Sequence, residues 1–368
     1  MRILITGPNG FIAKNLIVRL REMGQDNLVF IDRNSTVEEI HSSMADVEFI
    51  FHLAGVNRPK DESEFVDSNV DLTQSIIASL VASGLKVPVV LSSSTQVGLD
   101  NPYGRSKEAA EKLVVSYMDS HNTPVYVFRL PNVFGKWSKP NYNSAIATFC
   151  YNTVHDLPIT IHDPEATLNL VYIDDVCDAF IELLKSHQEG GYKNVPVTYR
   201  TTVGAVVELL KMFKSSRETL IIENVGVGLT RALYSTYLSY FTPSHFSYTV
   251  PSHEDPRGIF VEMLKTRSAG QMSFFSARPG ITRGGHYHHS KNEKFLVIKG
   301  RAEYRFRHVV TGEKFELISD DSEHRIVETI PGWIHDITNI GNDELIVMLW
   351  SNEIFDRTNP DTISGALM

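Results

Sequence analysis

Cysteine is almost missing. Cys150 and Cys177 are the only two in 368 residues, too few for a disulfide framework and suited to a reducing cytoplasm. Basic charge is also short: 35 Lys and Arg stand against 44 Asp and Glu, a net charge of −9. Nucleic acid and anionic membrane surfaces both need a basic footprint, so neither is expected as the main partner. No apolar run approaches the roughly 20 residues that span a bilayer, and the chain opens directly on Met1-Arg2-Ile3-Leu4-Ile5 rather than on a signal sequence. These absences predict a cytoplasmic protein without membrane insertion. There is no internal repeat and no low-complexity tract. What is present is an ordinary globular composition, 42% hydrophobic and 21% charged, in a chain long enough for two domains.

The first two-thirds alternate strand and helix signals. Short apolar runs at 3–5, 28–31, 47–51, 87–91 and 125–128 are separated by helical periodicity, including 65–82 and 106–119. That alternation predicts an α/β, doubly wound parallel sheet of Rossmann type, with helices on both faces. The texture changes near Phe241-Thr242-Pro243-Ser244-His245. Beyond it, short β-rich runs such as 295–298, 302–306 and 345–350 are punctuated by Gly, Asn, Asp and Pro, as in an antiparallel barrel or jelly roll. Eight of the 14 histidines fall in this part. The expected domains are 1–243 and 244–368.

Thr6-Gly7-Pro8-Asn9-Gly10-Phe11-Ile12-Ala13 joins the first strand to the first helix. Glycines there let backbone approach a pyrophosphate, and the helix N-terminus offers amide donors to the anion. A tight turn without a ligand would have a similar sequence. Asp32 ends the second strand, where a carboxylate can hold an adenosine ribose. Arg33 follows, and a guanidinium favours a 2′-phosphate. The pair favours NADP(H) over NAD, with Asp32 turned aside and Arg33 on the phosphate. Tyr103 and Lys107 are four apart and share one helix face, which predicts an ammonium that lowers the phenol pKa for proton exchange with a carbonyl or hydroxyl. Ser92-Ser93-Ser94, at the end of the fourth strand, offers a hydroxyl to the same oxygen.

These residues resemble the extended short-chain dehydrogenase/reductase family over about 1–240. The matching stretches are the Thr6-to-Ala13 turn, Phe51-His52-Leu53-Ala54-Gly55, Asn69-Val70, the serine triplet, Tyr103 with Lys107, Arg129 to Gly135, and Leu170 to Val176. The resemblance implies Tyr103 as acid/base, Lys107 as its activator and a cofactor-ribose ligand, and Ser94 as the oxygen-holding hydroxyl, with Ser93 as the alternative. It implies that Leu53, Ala54 and Pro131 line the cofactor and that Asn132 approaches the substrate. Many relatives act on nucleotide-linked sugars.

The second cluster is His286-Tyr287-His288, then Glu293, then His335. On a strand, His286 and His288 point to one face. With Glu293 and His335 they make a three-His, one-carboxylate set suited to zinc, or to Fe, Mn or Ni. This spacing resembles the cupin signature; His289 competes with His288 if the strand carries a bulge. Asp255 to Glu262 and Arg283-Gly284-Gly285-His286-Tyr287 also resemble cupin epimerases of 4-keto deoxysugar nucleotides. In those the matching histidine is the base, so ligand and base roles compete for His286. His308, His324 and Tyr304 are further candidates for proton transfer.

A reductase domain fused to a cupin resembles the CapF-type bifunctional capsular polysaccharide enzymes. The resemblance implies C3 epimerisation of a UDP-linked keto-deoxysugar by the cupin, then NADPH reduction at C4, and a homodimer. The alternative is a single-function reductase whose cupin serves structure or dimerisation.

Overall fold

Five apolar runs of the N-terminal half become neighbours in one parallel sheet. They are Ile3–Thr6 (β1), Leu28–Ile31 (β2), Phe49–His52 (β3), Val89–Ser94 (β4) and Val125–Leu130 (β5). Asn132–Phe134 (β6) and Thr167–Tyr172 (β7) pair in a smaller sheet, Gly191–Lys193 (β8) extends the large one, and Tyr199–Thr202 (β9) completes the small one. The large sheet has the order β2-β1-β3-β4-β5-β8, and every pair in it is parallel. The helices are Phe11–Glu22 (α1), Val37–Ser43 (α2), Leu72–Ser83 (α3), Pro102–His121 (α4), Ala145–Val154 (α5), Ile173–Lys185 (α6), Val203–Thr219 (α7) and Gly228–Leu238 (α8). The computed structural model describes all residues except 57–60, 62–64, 66, 143, 187, 256–257, 262, 267–269, 354–357 and 368, and describes backbone alone at 67–68, 252–255, 258–261, 265 and 271.

Strand alternation explains why helices cover both faces. Leu4, Ile50, Val89, Leu91, Val125 and Val127 pack with Ile40 of α2, Ile76 and Leu80 of α3, and Val114 and Tyr117 of α4. The intervening residues turn the other way: Phe51 and Phe128 lie 6.0 and 4.9 Å from Phe180 of α6, and α6 packs on α1. Near-continuous apolar strands are what a sheet buried on both sides requires. The chain reverses direction across the sheet between β1 and β3, and that switch point is where such sheets bind ligands.

Two five-stranded antiparallel sheets make the C-terminal part. One has the order β11-β20-β17-β22-β15 and the other β19-β18-β21-β16-β23. Here β11 is Ser247–Thr249, β15 Gln271–Ala277, β16 Thr282–Tyr287, β17 Glu293–Lys299, β18 Arg301–His308, β19 Lys314–Asp320, β20 Arg325–Glu328, β21 Trp333–Asn339, β22 Leu345–Ser351 and β23 Ile363–Ser364. Short pairs join Ile221–Ile222 (β10) to Lys265–Thr266 (β14) and Ser252–Asp255 (β12) to Gly258–Val261 (β13). Phe295 of the first sheet lies 6.0 Å from Tyr304 of the second, so the sheets face each other across an aromatic interior. In the stretch from Asp255 to Glu262, Pro256, Arg257 and Glu262 lie outside the described residues.

The chain forms two compact units: Met1–Phe134 with Asn141–Ser144 and Leu168–Arg200, and Gly135–Pro140 with Ala145–Thr167 and Thr201–Met368. Composition changes near 243, but α7 and α8 group with the β-rich part. A buried ionic cluster shows why. Arg217 of α7 and Lys294 of β17 both pair with Glu328 of β20, and the Arg217 guanidinium also lies 4.7 Å from the Tyr248 ring of β11. Among the described residues, no helix is long and apolar enough to cross a membrane.

Candidate functional site

The glycine turn is shaped for close approach. Gly7 has φ +65°, and a Cβ there would come within 2.9 Å of the Ala54 Cα. Gly10 then heads α1 with no side-chain cap, so the first-turn amides have no side-chain acceptor and suit an anion. Asn9 and Gly10 are exposed, and Phe11 and Ile12 are half-buried. This cradle fits a dinucleotide pyrophosphate. The ends of β1 and β3 are tied together beneath it. The Thr6 hydroxyl oxygen accepts from the Leu53 and Ala54 amides at 3.0 and 2.9 Å, which leaves its proton for His52 Nδ1 at 2.8 Å. Thr73 gives its proton to the Asn69 carbonyl, so His52 Nε2 must donate to Thr73 Oγ1, also 2.8 Å away. The network thus assigns a neutral Nε2–H tautomer. Burial, reinforced by the Lys107 charge, drops His52 to about 3.

At the end of β2, the Asp32 carboxylate already accepts the Asn34 amide at 2.8 Å, while Arg33 is exposed. Leu53, Ala54 and Pro131 are half-buried. Asn132 is exposed on β6, and its amide donates to the Asn169 carbonyl at 3.2 Å.

Helix α4 begins at Pro102, four residues ahead of the predicted start. Pro occupies its first turn, and Asn101 caps it by accepting the Gly104 amide at 2.7 Å. Tyr103 therefore sits in the first turn and Lys107 one turn on. The expected electrostatics differ in one respect. Burial raises the Tyr103 pKa, and it is a hydrogen bond with Ser94 that works to lower it. Lys107 Nζ lies 6.0 Å from the phenol ring centroid and donates to the Ser92 carbonyl at 3.0 Å. Burial, against the pull of Glu111, brings Lys107 down to about 8. Of the serine alternatives, Ser94 meets Tyr103, while Ser93 donates to Glu111 at 2.5 Å. Adjacent strand residues face opposite ways, which separates the two.

Sequence reading missed Glu111, which is 2% exposed and also accepts from Arg129 and Tyr192. Its position four residues beyond Lys107 was the available signal. Asn69, which the family resemblance named without a role, donates from Nδ2 to Ser106 at 2.9 Å. Gly55 leaves room beside it: a Cβ there would lie 2.9 Å from both Asn69 Oδ1 and Lys107 Nζ and would displace one of them.

The second site gathers His286, His288, Glu293 and His335, with one potential ligand atom from each and all of these within 4.8 Å of one another. A bulge between Gly284 and His286 sets the register of β16 against β21, pairing His286 with His335. Gly284 has φ +103°, and a Cβ there would strike the His335 carbonyl at 2.9 Å. The bulge lies upstream of the histidines, and it is His288 that joins the cluster. His289 packs against Tyr287 instead, its ring 5.7 Å away. His288 Nε2 is 3.3 Å and His335 Nε2 3.5 Å from Glu293 Oε2. Their Nδ1 atoms bond backbone carbonyls, of Asp361 and Trp333 respectively. That pattern turns both Nε2 atoms inward, as metal-binding histidines require.

His335 Nε2 is buried without a hydrogen-bond partner among the described residues, an orphan that a cation would satisfy. Burial, then the neighbouring His335 and His288, drives His286 down to about 3. Burial works against ionised Glu293, yet the two imidazoles hold it well below the usual range. Three imidazoles with one carboxylate fit a divalent metal.

Nearby, Trp137 covers Gly332, where a Cβ would come within 2.9 Å of the indole. His308 Nδ1 accepts the Val310 and Thr311 amides at 3.1 Å each, a turn-closing role. His324 adopts a positive φ of 50° at a turn. The Tyr304 hydroxyl is buried without a partner among the described residues.

Comparison with known proteins finds matches for both parts of the chain. Residues 3–197 match the NAD dependent epimerase/dehydratase family, and residues 253–363 match the polysaccharide biosynthesis C-terminal domain. A UDP-2-acetamido-2,6-beta-L-arabino-hexul-4-ose reductase of Pseudomonas aeruginosa is 51% identical over 363 residues, covering 98% of each chain. The crystal structure of the capsular polysaccharide assembling protein CapF of Staphylococcus aureus is 40% identical with a TM-score of 0.68, covering 99% of this chain and 100% of that one. A Thermus thermophilus UDP-glucose 4-epimerase bound to NAD has a TM-score of 0.51 at 20% identity over 58% of this chain and 84% of its own, a likeness of fold alone. The chain thus belongs to the NAD-dependent epimerase/dehydratase family and carries a polysaccharide biosynthesis C-terminal domain behind its Rossmann-like unit.

Proposed function

We propose that this chain is a bifunctional nucleotide-sugar enzyme. Its C-terminal sheets, read as a cupin jelly roll, epimerise C3 of a UDP-2-acetamido-2,6-dideoxy-4-keto-hexose. Its N-terminal unit then reduces the C4 ketone with NADPH to UDP-2-acetamido-2,6-dideoxy-L-talose, on a route to UDP-N-acetyl-L-fucosamine and capsular polysaccharide. The observation that carries the reading is Tyr103 in the first turn of α4, one helical turn before buried Lys107, with Ser94 acting to lower the phenol pKa against burial. The Pseudomonas aeruginosa relative, named as a reductase of a UDP-linked 4-keto sugar, supports the substrate class.

NADPH supplies the hydride when bound. The first-turn amides of α1, with Gly7, Asn9, Gly10, Phe11 and Ile12, would hold its pyrophosphate. Leu53, Ala54, Pro131 and Lys107 would line it. Arg33 would take the 2′-phosphate, because the Asp32 carboxylate is already engaged in its own turn. Tyr103 donates a proton to the C4 oxygen. Burial keeps that phenol protonated across the neutral range, which suits an acid. Ser94 holds the same oxygen, and Asn132 serves the sugar side.

Epimerisation must precede reduction. The C3 proton is acidic only while C4 is a ketone, since the carbanion spreads onto that oxygen. Zinc or another divalent metal held by His286, His288, Glu293 and His335 would supply Lewis-acid stabilisation of that charge. In this reading His286 is a ligand rather than the base.

The test is NADPH oxidation on the UDP-linked 4-keto sugar, with NMR of the product. An L-talo product supports the proposal; a product that keeps the original C3 configuration contradicts it. The latter result would support the second reading, a single-function reductase with a structural cupin, which the relative's name as a reductase favours.

A further inference from the structure

We propose that Asp361 is a positioning residue for the candidate metal centre, latching the C-terminal tail onto the loop that carries His288. The inference rests on the metal reading above. Asp361 is 70 to 72 residues from His289, Ser290 and Lys291 in sequence, yet these three successive amides of the loop converge on its carboxylate. His289 N donates to Oδ1 at 2.8 Å, and Ser290 N and Lys291 N donate to Oδ2 at 2.7 Å each. The Ser290 hydroxyl adds a fourth bond at 3.1 Å. Consecutive amides converging on one anion form a nest, here filled by the protein's own carboxylate.

The same residue reaches the ligand itself, since its backbone carbonyl accepts from His288 Nδ1. That bond fixes the ring's orientation and leaves Nε2 facing Glu293. The rest of the tail continues the clamp. Lys291 Nζ donates to Thr362 at 2.8 Å, β23 pairs Ser364 with His286 and Ile363 with Tyr287, and Gly365 N donates to Gly285 O at 2.9 Å. The contrast with His335 is informative. Its Nδ1 bonds Trp333, two residues away on the same strand, so its orientation is local. His288 depends on a remote segment, and the Asp361 carboxylate anchors that segment.

The experiment measures Zn²⁺ binding by competition with a chromophoric chelator, and melting temperature with and without Zn²⁺. It uses the full chain as wild type, Asp361→Asn, Asp361→Ala and His335→Ala. Loss of an outer-shell partner typically weakens metal binding roughly 10- to 100-fold. We expect that loss for both Asp361 variants, together with a smaller Zn²⁺-induced rise in melting temperature. Asp361→Asn keeps the side-chain volume and decides the matter if Asp361→Ala does not fold. Wild-type Zn²⁺ affinity in the Asp361 variants would overturn the inference while leaving the metal reading intact. Equal losses of melting temperature with and without Zn²⁺ would also overturn it, by assigning Asp361 a purely structural role. A wild-type protein that takes up no Zn²⁺ would remove the metal reading and this inference with it.

Discussion

The two sites are assembled by opposite strategies. In the first, one helix turn brings the central pair together. Tyr103 and Lys107 share a face of α4 because of helical pitch alone, and neighbouring strand ends supply Ser94 and the glycine turn. In the second, His286 and His288 are close in sequence but the set as a whole is not local. His286, Glu293 and His335 come from three strands of two sheets, and their approach depends on a glycine bulge in β16. The electrostatic outcomes differ as well. The first site buries a cation, Lys107, within reach of a phenol that stays protonated. The second gathers three imidazoles around one carboxylate, with His286 pushed down to about 3 and Glu293 held well below the usual range. Proton donation suits the former and metal ligation the latter, so each site can be disabled without touching the other's residues.

The largest effect expected is at the phenol. Tyr103→Phe removes the proton donor and should lower NADPH oxidation on the 4-keto sugar by about 10²- to 10⁴-fold, measured by absorbance, with melting temperature unchanged. A rate within threefold of wild type would remove Tyr103 from the chemistry.

Next is the buried ionic cluster of the second unit. Glu328→Ala strands Lys294, 2% exposed, with Arg217 beside it, and should cost about 3–5 kcal/mol in urea unfolding. Burial, with the Arg217 charge, already pushes Lys294 well below its ordinary pKa. A loss below 1 kcal/mol would mean that water reaches this cluster.

A pH profile separates the sites more finely. Lys107 is an ammonium below about 8 and a neutral amine above, so the charge beside the phenol fades as pH rises through that value. Reduction should therefore decline above about pH 8, and Lys107→Arg, which keeps its charge, should remove that limb whatever its absolute rate. The same lowered pKa makes the unfolded chain bind more protons between about 8 and the ordinary lysine value, so this group's contribution to stability grows with pH across that window. A flat rate profile to pH 9.5 would contradict the assignment.

The smallest effect is at the cofactor's edge. Arg33→Ala should reduce the preference for NADPH over NADH by roughly tenfold, about 1.4 kcal/mol, read as the ratio of the two kcat/KM values. An unchanged ratio would place 2′-phosphate recognition elsewhere.

Much of this was legible in sequence because its physics is local. Strand periodicity, the Gly7–Gly10 turn and the Tyr103–Lys107 spacing all depend on residues within a turn or two of each other. The cluster of His286, His288, Glu293 and His335 was legible for another reason: its sequence pattern resembles the cupin signature. Relations set by tertiary packing were not legible. The sequence spacing of Asp361 gives no sign that it meets His288. Burial of Tyr103 reversed the expected pKa direction, because desolvation outweighs a cation that donates elsewhere. The start of α4 at Pro102 was readable from Asn101-Pro102 and was missed. The break in composition near 243 did not reveal that Arg217 ties α7 to the β-rich unit, since an ion pair 111 residues apart leaves no local trace.

The most direct test of separable sites is deuterium incorporation at C3 in D₂O, followed by NMR in Tyr103→Phe and His335→Ala side by side. The account predicts that Tyr103→Phe still exchanges C3 at the wild-type rate while failing to oxidise NADPH, and that His335→Ala loses exchange while its dinucleotide binding is intact. Exchange that vanishes with the phenol and survives loss of the histidine would contradict it.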